Sequence, residues 1–309
     1  MSLHRVRITL KAPLGTPLTS GTLFGHLCWA KREADGEDAL VAWLKALPEA
    51  PWALSDGFPA DHLSRPLVPR QPPPRPKQMT REILKDFESA KARNKLPWVR
   101  SEDWRRLRGR VSDPVIGACA TSAPAASQRI AHNAIDRLTG STPGEGGLYF
   151  VDEDWGHAEI AERDVYVRAG ASPGELHTLF AAVGEGGYGR DATWGRGHFT
   201  VDGIDDASWL DDHAGNRMMS LSHGCLTPKM GEPRYKLFTH FGKVGAGLLA
   251  AGVIAWKRPL LLARPGCTFT PADAGPFGRW LAGVHQDPNH PEVGHNAFHL
   301  AILYTEAEA

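Results

Sequence analysis

The segment that most constrains this chain is a glycine-rich stretch at residues 184–199, with the sequence GEGGYGRDATWGRGHF. Six of its sixteen residues are glycine, which lets a backbone adopt positive φ and approach a ligand closely. Successive unshielded N–H groups in such a turn can form an anion-binding nest. Arginines in the stretch suit phosphates, and its aromatic rings offer faces for stacking on bases. The stretch therefore favours a nucleic-acid backbone over a small apolar ligand.

The elements expected around this stretch argue against a dinucleotide-binding fold. Residues 184–189 satisfy G-x-G-x-x-G, which in that fold follows a strand and precedes a helix. Here Ser172 and Pro173 begin a helical pattern over 172–183, and residues 198–204 alternate like a strand. The order of helix, turn and strand is the reverse of the fingerprint. The remaining alternative is a loop that only connects the helix to the strand and binds no ligand, although sixteen residues is long for such a loop.

Length and composition limit the class of protein. The chain has 309 residues, enough for about two domains, and 42% of its residues are hydrophobic. No apolar run approaches the ~20 residues of a membrane helix, and the start MSLHRVRITL enters a strand pattern directly. We therefore expect a cytoplasmic protein with no signal peptide and no membrane partner. Four cysteines without a C-x-x-C pair exclude a cysteine zinc ribbon and indicate reduced thiols: Cys28, Cys119, Cys225 and Cys267.

The charge of the chain is zero overall but divided along its length. Residues 65–110 hold fourteen Arg or Lys and five Asp or Glu, a balance of +9. Residues 151–215 hold four Arg or Lys and fourteen Asp or Glu, a balance of −10. A zero total disfavours a free, nonspecific nucleic-acid binder. The division favours one basic face and one acidic docking face, the alternative being two ordinary solvated surfaces.

The first part of the chain predicts an α+β arrangement. Residues 3–10 alternate as a strand, and residues 20–35 form a helical pattern that Ser20 can cap. A second helix is predicted over 37–47, where Pro48 follows. A strand, helices and further short strands are typical of an α+β sandwich.

The region 64–128 reads as an insertion that leaves the core. Residues 64–78 contain six prolines and predict an extended tether. The basic stretch 79–95 predicts a helix, whereas 110–128 is small, polar and poorly periodic. We expect this insertion to become ordered only against partners.

The second half predicts another α+β unit of similar design. Residues 129–151 run from polar and basic residues through a turn into an aromatic strand. Strands and a helix then follow in alternation. The segments concerned are strand 164–168, helix 173–183, strand 198–204 and strand-like runs at 217–222, 234–241, 259–263 and 297–304.

Five phrases occur in an order that is similar to a known family. They are SGTLFGHLCWA (20–30), RIAHNAIDRLTGSTPGEGGLYF (129–150), the glycine-rich stretch, KRPLLLARPGCTF (257–269) and HPEVGHNAFHLAI (290–302). Together they resemble the RAMP superfamily of CRISPR proteins. The set looks most like the subunit of type III-A (Csm) effector complexes that caps the 5′ end of the crRNA.

The resemblance implies two packed ferredoxin-like (RRM-like) βαββαβ units, a protruding β-hairpin and a glycine-rich loop. Carried onto this chain, it predicts an N-terminal unit over 1–147 and a C-terminal unit over 148–309. The N-terminal unit would contain the insertion 64–128 and a hairpin-related segment at 129–147. The C-terminal unit would contain the glycine-rich loop, residues 184–198. The proline-rich tether and the basic helix depart from the pattern expected of that family.

The resemblance also implies a function. It predicts a noncatalytic subunit that binds the 5′ handle of the crRNA and contacts both the large signalling subunit and a backbone RAMP subunit in antiviral defence. The residue chemistry predicts RNA contacts by stacking, phosphate pairing and base-edge hydrogen bonds. The helix start would offer N–H groups to a phosphate. The predicted RNA-binding residues are Ser20, Gly21, Thr22, Arg129, His132, Asn133, Arg137, Thr139, Gly140, Ser141, Gly187, Tyr188, Gly189, Arg190, Trp194, Gly195 and Arg196.

Two other functions stay open from the sequence. One is a metal-independent endoribonuclease that processes precursor crRNA, with His26 or His132 as acid or base. The other is a structural RAMP subunit that contacts only protein. No metal and no cofactor is expected, because His295 and His299 lack the glutamate of H-E-x-x-H and fall on a predicted strand that separates them.

Overall fold

The computed structural model describes residues 1–70, 81–122, 126–145, 147–155, 161–245, 252 and 254–307. The α-helices in these ranges are α1 (Ser20–Asp35), α2 (Glu37–Ala46), α3 (Arg81–Arg93), α4 (Ser101–Leu107), α5 (Asp113–Cys119) and α6 (Pro173–Gly186). The strands are β1 (Ser2–Leu10), β2 (Ala53–Leu54), β3 (Phe58–Pro59), β4 (His62–Ser64), β5 (Trp98–Arg100), β6 (Ala120–Thr121), β7 (Ala126–Asn133), β8 (Leu148–Trp155), β9 (Glu162–Ala169), β10 (Phe199–Asp206), β11 (Arg217–Ser220), β12 (Met230–Arg234), β13 (Leu237–His240), β14 (Leu260–Ala263), β15 (Thr268–Pro271), β16 (Gly278–Leu281), β17 (His295–Phe298) and β18 (Ala301–Tyr304). The predicted α+β class is confirmed.

The first sheet combines strands from distant parts of the chain. Its order is β10–β1–β9–β2, and β3 also pairs with β9. β1 is antiparallel to both neighbours, so that Val6 lies opposite Val165 on β9 and Ile204 on β10. α1 and α6 pack together and bury Leu23 and Phe180 in the main core. Alternating apolar residues on β1 face that core, which explains why the strand pattern was readable from the sequence.

The helix that leads to the glycine-rich loop begins as predicted. The Ser172 side chain accepts a hydrogen bond from the Glu175 N–H at 3.2 Å, and Pro173 occupies the first helical position. α6 continues to Gly186, so it includes the first three residues of the predicted loop. For α1, Thr19 is the N-cap residue and Ser20 is already helical, which corrects the prediction that Ser20 caps the helix.

The strand pairing does not follow the predicted division at residues 147 and 148. β9, α6 and β10 all lie after that point, yet they complete the sheet that β1 begins. The division also separates β7 from β8, which pair in register from Ala126 with Trp155 to Asn133 with Leu148. A boundary there would cut both structures. Sequence order alone does not show which later strands pair with β1.

Much of the predicted insertion 64–128 lies in the core. Val99, Trp104, Val111 and Ile116 are each fully buried in the same cluster as the first sheet. The expectation that the whole region leaves the core is therefore wrong for the part described here. These apolar residues are widely spaced among charged ones, so no periodic pattern marked them. The predicted tether falls mostly outside the described residues, and the predicted basic helix is α3.

The remaining residues form a further sheet and two-stranded ribbons, and α1 packs against one of these ribbons through β17. β12–β15–β11–β18 make one sheet, while β13–β14 and β16–β17 make two-stranded ribbons. Within the described part of 207–307 there is no α-helix, so these residues do not repeat a βαββαβ order. The predicted strand over 297–304 is two strands, because His299 and Leu300 donate their N–H groups to Phe277 and to the Ser222 side chain.

Candidate nucleic-acid interface

The glycine-rich loop closes on itself at its base. The Tyr188 N–H donates to the Gly197 carbonyl at 3.0 Å, and the Gly197 N–H donates to the Pro13 carbonyl at 2.9 Å. Gly197 has a φ of +70°, and a Cβ there would collide with the Tyr188 backbone. Only glycine therefore fits this position without strain. The result is a compact loop in which residues 189–196 lie between the two ends of the closure.

The base of the loop is anchored to the segment between β1 and α1. The Tyr188 hydroxyl donates to the Pro17 carbonyl at 2.8 Å and accepts from the Thr19 N–H at 3.1 Å. Tyr188 is completely buried, and this burial raises the pKa of its phenol. Its ring is therefore closed off from any base, which corrects the prediction that Tyr188 stacks on RNA.

His26 holds the loop from the side of α1. The Gly189 N–H donates to His26 Nε2 at 3.0 Å, and the His26 ring lies 5.0 Å from the Tyr188 ring. Burial lowers the pKa of His26 to about 4, which keeps the ring neutral so that this nitrogen can accept. A nitrogen engaged in this way is unsuited to deliver a proton to RNA. The geometry does not favour His26 as an acid or base.

Arg196 is directed inward, to the hairpin. Its guanidinium forms an ion pair with Glu153 of β8 and contacts Asp191 at 3.2 Å and His132 Nε2 at 3.0 Å. Because a guanidinium only donates, His132 Nε2 is the acceptor in its contact with Arg196, and the same nitrogen lies 3.8 Å from the Glu153 carboxylate. Arg196 is only 8% exposed. The predicted contact of Arg196 with an RNA phosphate is therefore corrected to contacts within the protein. His132 is likewise engaged inside the protein, with Arg196 and with the Tyr149 ring.

Two predicted side chains of the loop do face solvent. Trp194, at the end of a short 3₁₀ turn from Ala192, is 71% exposed. Arg190 is partly exposed and lies 3.2 Å from the Asp191 carboxylate. A bare tryptophan is costly to leave in water, and its ring is free to stack on a base. Trp194 and Arg190 are the members of the loop best placed to meet RNA.

The hairpin β7–β8 presents two different faces. Cross-strand partners share a face, so His132 lies with Tyr149 on the side toward the loop, where their rings stack 5.4 Å apart. Arg129 and Asn133 alternate onto the opposite, exposed face, where the Arg129 guanidinium lies 4.9 Å from the Phe150 ring. The structure thus separates residues that the sequence grouped together.

The hairpin tip carries the remaining predicted residues. Arg137, Thr139, Gly140 and Ser141 are all exposed, and the Thr139 and Ser141 hydroxyls lie 2.9 Å apart. The sequence reasoning missed the apolar side chains around them. Two of them lie in the turn, where a large apolar residue among polar ones is the signal that would have marked them, and three lie at the start of β8: Ile135 and Leu138, then Leu148, Tyr149 and Phe150.

The start of α1 is not an open phosphate site. The Ser20 N–H donates to the Asp56 carboxylate at 3.0 Å, so an acidic side chain of this chain already occupies the helix end. Ser20 and Gly21 are both buried, and Gly21 packs directly against the His295 ring. Thr22 is partly exposed, and its hydroxyl accepts from that of Thr19 at 2.9 Å. The predicted phosphate contact at Ser20–Thr22 is therefore corrected.

Two other features are absent from the described residues, a cluster of metal ligands and a membrane-spanning helix. No group of three or more His, Cys, Asp or Glu side chains there is arranged to hold a metal ion. His299 instead uses both ring nitrogens, with the Ser220 hydroxyl at 2.7 Å and the Cys225 carbonyl at 3.1 Å. None of the helices in the described ranges combines the length and apolar character needed to span a membrane.

Solved structures share this fold over the full chain. One is a Csm1–Csm4 cassette in complex with pppApA, with a TM-score of 0.61, 15% identity and complete coverage of both chains. Another is a Csm3–Csm4 subcomplex of the type III-A CRISPR–Cas interference complex, with a TM-score of 0.57, 13% identity and coverage of 98% of this chain and 99% of the other. No protein-family profile and no curated protein sequence matches the chain.

Over its full length the chain therefore shares its α+β fold with a chain of each of these two assemblies. Csm4 is the component that both assemblies have in common. The resemblance inferred from the sequence is thereby confirmed at the level of the fold.

Proposed function

We propose that this chain is a noncatalytic subunit of a type III CRISPR effector complex that caps the 5′ handle of the crRNA. The full-length likeness to Csm4-containing structures supports the class of complex. In this proposal the chain links the large signalling subunit to the backbone RAMP subunits and acts in antiviral defence. The first sheet, with α1 and α6 on one side, would be its ferredoxin-like unit.

The exposed Trp194 and Arg190 carry the RNA-binding part of the proposal. The loop that presents them is closed at Tyr188 and Gly197 and is held by His26, so both side chains project from a fixed base. A fixed aromatic ring and a nearby guanidinium suit an unstacked base and its phosphate, because little ordering is left for the moment of binding. Arg137 and the other exposed residues of the hairpin tip would add contacts to the same strand.

The test is co-purification with bound RNA. The tagged chain is expressed with the other subunits of its complex, and the bound RNA is quantified and sequenced from its 5′ end. We expect guide RNAs with a common repeat-derived 5′ end, and at least a 10-fold loss of bound RNA in the Arg190→Ala, Trp194→Ala double variant, since one stacked ring alone contributes about 1–3 kcal/mol. Normal recovery of RNA by this variant would contradict the proposal.

A matched control lies on α2. The Val41→Ala, Lys45→Ala double variant also removes one exposed apolar side chain and one exposed cation, far from the loop in sequence. It should recover RNA like the unmodified chain. Separately, site-specific cleavage of a repeat-containing RNA by the purified chain in EDTA would overturn the noncatalytic part of the proposal and revive the endoribonuclease.

A further inference from the structure

A second basic surface lies far along the chain from the glycine-rich loop. Between residues 233 and 272 there are six Arg or Lys and no Asp or Glu, although the whole chain balances 35 against 35. This stretch contains the β13–β14 ribbon, which pairs from Leu237 with Ala263 to His240 with Leu260. The ribbon is separate from the two larger sheets in its hydrogen bonding. A local excess of one charge sign on such an element indicates an anionic partner.

The cations on this ribbon are largely uncompensated. The Arg234 guanidinium donates two hydrogen bonds to the Glu306 carboxylate, the longer at 3.0 Å, so this cation is used within the fold. The others that face solvent form no ion pair with any carboxylate of the described residues. They are Lys236, Lys243, Arg258 and Arg264.

Exposed aromatic rings accompany these cations. Phe241 is 63% exposed and Trp256 is 43% exposed, and Tyr235 is exposed as well. The Lys243 ammonium lies 4.5 Å from the centre of the Trp256 ring. Large rings interleaved with free cations are what a single strand of RNA requires, because its bases stack while its phosphates pair. A protein partner of this surface would need a matching acidic face instead.

α1 connects this ribbon to the glycine-rich loop. His26 holds the loop at Gly189, and Trp29, on the next turn of the same helix face, packs closely against Gly245 in the connection between β13 and β14. Gly25 lies on that face, and a Cβ there would meet no atom within 4 Å. At Gly25, between the two anchoring points, the described residues therefore leave room beside the helix. A strand that leaves the loop would cross α1 at Gly25 to reach the ribbon.

We propose that the ribbon surface, defined as Tyr235, Lys236, Phe241, Lys243, Trp256, Arg258 and Arg264, is a second single-stranded RNA site that continues the path from the glycine-rich loop. Phe241 and Trp256 stack on bases, and Lys243 and Arg258 pair with phosphates. The inference deepens the proposed function and rests on it for the identity of the strand, though not for the ribbon's own affinity for RNA.

The first experiment measures binding of a fluorescein-labelled, mixed-sequence 20-nucleotide RNA to the purified full chain over a range of salt concentrations. We expect Phe241→Ala with Trp256→Ala to weaken binding at least 10-fold. Lys243→Ala with Arg258→Ala should lower the slope of log affinity against log salt by about 1.4, because each single-strand phosphate contact contributes ~0.7. The α2 control, Val41→Ala with Lys45→Ala, should change neither quantity. Circular dichroism and the unfolding midpoint establish that each variant is folded.

Photocrosslinking then separates this inference from the proposed function. With the same RNA we expect crosslinks at both the glycine-rich loop and the ribbon, and only the ribbon crosslinks should disappear in the Phe241→Ala, Trp256→Ala variant. Loss confined to the loop in the Arg190→Ala, Trp194→Ala variant would support two distinct sites. If the affinity for RNA is unchanged in Phe241→Ala with Trp256→Ala, and the slope of log affinity against log salt is unchanged in Lys243→Ala with Arg258→Ala, the ribbon site is overturned. This holds whatever the Arg190→Ala, Trp194→Ala variant shows. If those variants instead lose a co-purifying subunit, the surface is a protein interface and the inference is likewise overturned.

Discussion

The ion pair between Glu153 and Arg196 fixes the hairpin to the glycine-rich loop, and its removal has a predictable cost. The Glu153 side chain is 2% exposed and that of Arg196 is 10% exposed. Glu153→Gln keeps the size of the side chain, and among the described residues it leaves the Arg196 guanidinium with the partly exposed Asp191 as its charged partner. Removing one member of a buried pair costs about 3–5 kcal/mol, and we expect about 2–3 kcal/mol here because Asp191 remains.

The assay is hydrogen exchange at the Tyr188 amide, which donates to Gly197 at the closure of the loop. A loss of 2–3 kcal/mol in local stability should accelerate this exchange about 30- to 150-fold, since 1.36 kcal/mol is a factor of ten. The control is Asp103→Asn, which breaks the pair between Asp103 and the exposed Arg106. That surface pair should change stability by less than about 1 kcal/mol. Unaltered exchange at Tyr188 in Glu153→Gln would refute the idea that this pair holds the loop.

Three further predictions concern the same region. Gly197→Ala should lower the free energy of unfolding, measured by chemical denaturation, by at least about 2 kcal/mol, because the new Cβ meets the Tyr188 backbone at a φ of +70°. Gly195→Ala has a φ of +84° but no such collision and should cost only about 1–2 kcal/mol, so equal losses in the two variants would contradict this prediction. Gly25→Ala should raise the free energy of unfolding by about 0.5–1 kcal/mol, since the new methyl group meets nothing and helix propensity improves; a loss of stability would show that the site is not open. Burial lowers the pKa of His26 from its ordinary 6.5 to about 4, so the unfolded chain binds one more proton between these values and stability falls as the pH drops from about 6.5 to 4. In His26→Gln the number of protons taken up on unfolding near pH 5 should therefore decrease by about one, and an unchanged number would contradict a neutral His26 ring.

Local patterns in the sequence predicted local structure well. The alternation at 3–10 and the cap at Ser172 correspond to β1 and to the start of α6. The glycine-rich loop follows its helix and precedes its strand as predicted. These features depend on neighbours a few residues apart, where periodicity and capping chemistry decide the outcome.

Features that depend on distant residues were not predictable in the same way. Nothing near Tyr188 shows that Pro17 and Thr19 will enclose it, or that Glu153 will draw Arg196 inward. The core position of Trp104 likewise depends on Tyr304, whose ring lies 5.9 Å away. An arginine or a tyrosine beside glycine is equally compatible with an RNA contact and with an internal one. Tertiary structure decides between them, and here it left Trp194 and Arg190 outside.

The pairing of β1 with β9 and β10 has a consequence for synthesis in the cell. β1 ends at Leu10, while its first partner begins at Glu162 and its second at Phe199. At 5–20 residues per second a ribosome needs roughly 8–30 s to go from Leu10 to Glu162 and roughly 10–40 s to go from Leu10 to Asp206, where β10 ends. During that interval the apolar side of β1 has no sheet to join, so nascent chains are expected to need protection from aggregation until residue 206 has emerged.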